Sequence, residues 1–135
     1  MSHECQYQYR QDHIHEIIFL ASSRDVVDEW VSYLDIIYAY GEKSPLLLFD
    51  FSRSGLPPIG YFLTRLRQWQ QNNPHARLGR CAIVYEGNAM LLLLLKNTTI
   101  VTGLAISRRT RFFNSHAHAQ AIEWLQANQA VAVAN

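Results

Sequence analysis

The run Leu46-Leu47-Leu48-Phe49, set between Pro45 and Asp50, restricts the fold more than any other stretch of the chain. A strand with one wet face alternates apolar and polar residues, and this run does not. A continuous apolar run of strand length marks a strand covered on both faces. Such cover comes from helices on each side of a parallel or mixed sheet, so the surrounding sequence is expected to supply helices and further strands.

It does so in alternation. Cys5-Gln-Tyr-Gln-Tyr-Arg10 has the period-2 pattern of a half-wet strand, Gln11-Asp12 suits a turn, and His13 to Leu20 continues as a second strand. Together they read as a hairpin at a sheet edge. Ser22-Ser-Arg-Asp25 has capping-box spacing, which makes Ser22 the expected N-cap. Val27, Trp30, Val31, Leu34, Ile37 and Tyr38 then form a helical stripe that Gly41 closes. Pro57-Pro58 opens a second helix with a stripe of Ile59, Phe62, Leu63, Leu66 and Trp69, and Asn72-Asn73-Pro74 ends it. Arg80 to Tyr85 is the next strand, and Ala89 to Leu95 is an apolar helix. Arg109 to Asn114 is the last strand, and Ser115 is placed to cap a final helix bearing Ile122, Trp124 and Leu125. The order β-β-α-β-α-β-α-β-α predicts an α/β fold, a mixed and mostly parallel sheet of about five strands with four helices and right-handed crossovers. At 135 residues the chain is expected to form one domain, with residues 1–12 as an edge strand and 127–135 as a frayed tail.

Composition bounds the class. Half of the residues are apolar and 17% are charged, which excludes a disordered chain. Cys5 and Cys81 lie far apart and match no C-x-x-C spacing, so two reduced thiols are expected. No leader-like N-terminal stretch is present, and the expected location is the cytoplasm. The apolar segment ending in Leu91-Leu92-Leu93-Leu94-Leu95 stops at Lys96 after seven residues, against the roughly 20 that a membrane span requires. Charge is unevenly divided. Residues 1–50 carry nine acids and three basic residues, and residues 51–135 carry nine basic residues and two acids, nets of −6 and +7. Such a chain can pair with itself or offer a basic patch to an anion; alternatively, folding interleaves the halves and cancels the difference.

Few constellations point to chemistry. No Gly-x-Ser-x-Gly elbow and no local cysteine signature is present, so no catalytic residue is assigned and the chain is expected not to be an enzyme. Asp50, at the end of a strand where open α/β sheets bind ligands, is the best single acid. It has no identifiable partner in sequence, and capping its own loop is the alternative. Gly55 and Gly60 frame two prolines and fit no phosphate cradle, so no cofactor is implied. His13 and His15 share one side of an extended segment but lack further ligands. His116 and His118 would stand about 200° apart on a helix. No metal is expected. Arg109 and Arg111 alternate onto one strand face and with Arg77 and Arg80 form a candidate anion patch; edge-strand charges that discourage aggregation are the competing account. Nucleic acid is not an expected partner, because the chain is barely basic.

Residues 110–125, Thr-Arg-Phe-Phe-Asn-Ser-His-Ala-His-Ala-Gln-Ala-Ile-Glu-Trp-Leu, resemble the closing pattern of the SpoIIAA-like branch of the STAS superfamily, a strand ending in Phe followed by a helix ending in Ala-x-x-Trp-Leu. Arg80 to Tyr85 resembles that group's preceding strand, and Leu46 to Ser52 its central strand ending in Asp-x-Ser. The likeness spans about residues 13–126. STAS domains that antagonise anti-sigma factors carry an Asp-Ser-Ser-Gly-Leu-like motif whose first serine accepts phosphate at the second helix. Ser54-Gly55-Leu56 matches the end of that motif, but Arg53 stands two residues before the glycine and Ser52 three before it. The acceptor position thus lacks its serine. The branch is also similar in fold to CRAL-TRIO lipid-binding domains, which implies an apolar cavity or dimer surface.

The first reading is a non-catalytic regulatory or protein-interaction module of this type, a homodimer, acting through the second helix, its preceding loop Asp50, Ser52, Arg53, Ser54 and Gly55, and the Leu91–Leu95 helix. The alternative is a carrier of a small apolar or lipid-like ligand, with Phe62 and Leu91 to Leu95 lining the cavity or dimer surface. An enzyme built on Asp50 is the third reading.

Overall fold

A computed structural model describes residues 4–41, 44–55, 57–76, 79–86 and 110–134 of the chain. The elements are β1 (Cys5–Tyr9), β2 (Ile14–Phe19), α1 (Arg24–Ala39), β3 (Leu46–Asp50), α2 (Ile59–Asn72), β4 (Cys81–Tyr85), β5 (Thr110–Asn114), a 3-10 turn (Ser115–Ala117) and α3 (His118–Ala134). The strands form one mixed sheet in the order β1-β2-β3-β4-β5, with β1 antiparallel to β2 and the other neighbours parallel. The described residues hold three α-helices. The fourth predicted one, around Leu91–Leu95, lies outside them.

The Leu46–Phe49 run behaves as its composition demands. Leu47 and Phe49 join a core with α1 and α2, while Leu46 and Leu48 join a second core beneath α3. Every residue of β3 is buried, because its alternate side chains enter two different cores. Each such leucine or phenylalanine contributes about 1.5–3 kcal/mol by leaving water. Trp30 of α1 stacks on Phe62 of α2 at 4.2 Å and meets Phe49 edge-on at 5.7 Å, which locks both helices to the same face of the sheet.

The local signals are right in kind, with small shifts. The hairpin closes when His13 N–H donates to the Arg10 carbonyl at 3.0 Å and Arg10 N–H donates to that of Ile14 at 2.9 Å. His13 takes φ +65°, a left-handed conformation that histidine tolerates better than most residues with a side chain. The N-cap of α1 is Ser23 rather than Ser22, and its hydroxyl donates to Glu4 Oε2 at 2.7 Å instead of capping the helix. A charge-assisted bond to a carboxylate outweighs a neutral cap. Asn114 rather than Ser115 caps the final turn, its Oδ1 accepting from His116 N–H at 3.1 Å. Gly41 closes α1 at φ +80°, as its position suggests. Gly79 is fixed for another reason: a Cβ there would run into the Pro45 carbonyl, where the leads into β3 and β4 touch.

Candidate functional site

The loop after β3 is built tightly. Asp50 is 7% exposed, and its Oδ1 accepts from Ser52 N–H at 2.8 Å and from the Ser52 hydroxyl at 2.6 Å. Phe51 turns inward, 3% exposed, and stacks on Phe19 at 4.2 Å. Its N–H donates to the Val84 carbonyl at 2.8 Å, and its carbonyl accepts from the N–H groups of Ser54 at 3.3 Å and Gly55 at 2.9 Å. Gly55 at φ +77° lets the chain reverse toward α2. Arg53 is exposed at the tip, with Ser52 and Ser54 half-buried beside it.

This geometry assigns Asp50 to its own loop. Among the described residues no arginine or histidine lies within ion-pair distance of its carboxylate. Strand order advances without reversal from β2 to β5, and α1 and α2 share one face. The strand-order reversal that opens a ligand crevice in doubly wound sheets therefore does not occur beside Asp50. A phosphate on Ser52 would sit against the Asp50 carboxylate, a repulsive arrangement.

The apolar candidates divide. Phe62 is half-buried between Trp30 and Phe51, its ring 4.2 Å and 6.2 Å from theirs, so its ring serves the core on this face. Leu91, Leu92, Leu93, Leu94 and Leu95 lie outside the described residues.

Of the four basic candidates, Arg77 and Arg109 also lie outside the described residues. The other two converge. Arg111 on β5 pairs in register with Ala82, which follows Arg80 by two residues, so both arginines project from the α3 side of the sheet. The guanidinium carbon of Arg80 lies 5.4 Å from the centre of the Trp124 ring, and that of Arg111 lies 6.0 Å from it. Phe113 supports the indole at 5.9 Å.

Sequence reading missed the buried polar residues of β2. His15 is fully buried, and its Nδ1 meets the Tyr7 hydroxyl at 2.8 Å while its ring stacks on Tyr9 at 4.4 Å. His13 instead meets the Tyr9 hydroxyl at 3.0 Å, so the His-x-His pair is divided between two tyrosines. On the opposite face Glu16, 4% exposed, accepts from Gln8 Nε2 at 2.8 Å. It lies 3.7 Å from Arg10 Nη1 and 3.5 Å from His118 Nε2 on α3. Arg10 also holds Asp12 at 3.1 Å. A signal for this was present, since Ile14-His15-Glu16-Ile17 puts two polar residues into a strand that the hairpin places one in from the edge. Polar groups there must find partners. Among the described residues no three His, Cys, Asp or Glu side chains converge as a metal-binding group.

The two thiols are buried. Cys5 is pushed up to about 12, first by burial and then by Glu29, and burial raises Cys81 as well. Neither is disposed to act as a thiolate at neutral pH.

Fold and sites together define a layered α/β domain with helices on both faces of a mixed sheet. No helix among the described residues is long and apolar enough to cross a membrane. No protein-family model matches the chain, and no curated protein matches it in sequence.

Proposed function

We propose that the chain is a non-catalytic regulatory or protein-interaction module of the STAS-like type, working as a homodimer through the loop Asp50–Gly55 and the α2 that follows it. The observation that carries this reading is the construction of the loop. Five hydrogen bonds and a buried phenylalanine hold it in one shape while Arg53 is turned to solvent. Such a loop presents a fixed surface, and its carboxylate is occupied in holding that surface. Cys5 and Cys81 are free thiols, which suits a reducing, cytoplasmic setting.

The test is native mass spectrometry of the protein as purified from cells, with sedimentation of Arg53→Glu. A dimer of unmodified mass, weakened at least tenfold by Arg53→Glu, is the expected result. A monomer at every concentration would overturn the dimer. Extra mass lost on denaturation would replace this reading with that of an apolar-ligand carrier.

A further inference from the structure

Folding interleaves much of the charge asymmetry of the sequence, because Arg53, Arg65 and Arg67 of the basic half lie on the loop and helix α2 that pack beside the acidic α1. The halves meet across α1 and α2, where Arg65 Nε binds Asp28 Oδ1 at 3.0 Å. At the β4–β5 end of the sheet the described residues carry Arg80 and Arg111 against Glu86 and Glu123. Among the described residues neither Arg80 nor Arg111 has a carboxylate within 4.0 Å, and Glu123, beside Trp124 in sequence, is exposed and joins neither.

We propose that Arg80, Arg111 and Trp124 form a recognition site for a phosphate group. Guanidinium carbons 5.4 and 6.0 Å from one indole centre bring two like charges to the same region, and an anion bound by both offsets their repulsion. Each guanidinium offers a planar fork that matches an oxyanion, and the pair supplies two positive charges, the complement of a phosphate dianion rather than of a single carboxylate. Trp124 contacts both guanidinium groups and Phe113 lies 6.0 Å from that of Arg111, which limits their freedom and lowers the ordering cost of binding. Arg80 is half-buried and Arg111 exposed, so the site is open to a ligand from solvent. It lies at the N-terminal ends of β4 and β5, the opposite end of the strands from Asp50, and is independent of the loop surface.

The experiment is a titration of the whole chain followed by the indole N–H resonance of Trp124 and the side-chain N–H resonances of both arginines. Three probes present the same group from different sources: inorganic phosphate, a nucleoside monophosphate, and vesicles containing phosphatidic acid. Sodium chloride at equal ionic strength is the control. A saturable shift with at least one probe, weakened at least tenfold in Arg80→Gln and in Arg111→Gln, is expected, and the probe that binds most tightly identifies the source. Arg111→Lys, an exposed and fold-neutral change, retains the charge, loses the fork and is expected to weaken binding less. Equal shifts with chloride, or shifts undiminished in the glutamine variants, would overturn the site. So would self-association that both variants abolish without any phosphate response, because the cluster would then serve a second copy of the chain.

Discussion

Glu29 of α1 accepts the main-chain N–H of Glu4 at 2.8 Å through Oε2. The same oxygen reaches the N–H of Cys5 at 3.3 Å, and Oε1 takes the Tyr33 hydroxyl at 3.4 Å. Glu4 in turn accepts from Ser23 at the start of α1. The edge strand is thus tied to a helix as well as to its neighbour strand. Glu29→Ala is expected to destabilise the chain by about 1.5–3 kcal/mol, the usual range for hydrogen bonds to a charged group. Glu29→Gln, which keeps an acceptor, costs less. Urea unfolding gives the magnitude, and faster amide exchange at Glu4 and Cys5 locates it. Unchanged exchange at both amides would sink the tie.

Asp50 makes a sharper test because Asn and Ala separate its two possible duties. Asn keeps an oxygen where Ser52 donates, so Asp50→Asn is expected to fold normally. Asp50→Ala leaves the Ser52 N–H and hydroxyl without their acceptor and costs about 1–3 kcal/mol. Thermal melts of the pair check this. Equal loss in both variants would mean that charge, not acceptance, holds the loop.

Glu16 is a buried carboxylate whose partners reach water. Arg10 and His118 have 25% and 36% of their side chains exposed, and Arg10 also has Asp12. Glu16→Leu therefore orphans no buried charge, and the expected effect is neutral or stabilising by up to about 1–4 kcal/mol. Arg10→Ala acts in the opposite direction, since Glu16 stays buried with less compensation. Denaturation midpoints of the two variants decide it, and a large loss in Glu16→Leu would show that the carboxylate is needed for the fold.

The buried thiols open the alkaline limb, and Tyr38, whose hydroxyl is also raised by burial, adds to it above pH 10. Cys5 is raised to about 12 from the ordinary 9.0, and Cys81 is raised too, so above pH 9 the folded chain holds protons that the unfolded chain releases. Stability is expected to be insensitive to these thiols through neutral pH and to fall as pH rises from about 9 towards 12. The Cys5→Ala, Cys81→Ala double variant removes the part of that fall that begins near pH 9 and leaves the part above pH 10 due to Tyr38, which urea midpoints at stepped pH measure. At pH 8 a thiol reagent is expected to label the native chain only as fast as it opens.

Much of the architecture was legible in the sequence, because the features that carry it are local. The apolar stripe from Val27 to Tyr38 needs only helical periodicity. The unbroken Leu46–Phe49 run needs only the rule that a strand without a polar face is covered twice. Gly41 ends α1 by backbone preference, and Asn73 ends α2 with its own side chain, Nδ2 donating to the Trp69 carbonyl at 2.8 Å. What tertiary structure decided are relations between residues far apart. Whether Glu16 is buried depends on α3 bringing His118 across the sheet, about a hundred residues later in the chain. Whether Asp50 acts outward or inward depends on Phe51, whose N–H is held by the Val84 carbonyl and whose ring stacks on Phe19, so that the loop returns Ser52 to Asp50. That Arg80 and Arg111 share Trp124 depends on the β4–β5 register, which no local pattern encodes. Periodicity fixes which face a side chain takes, and packing of the sheet against its helices fixes what it meets there.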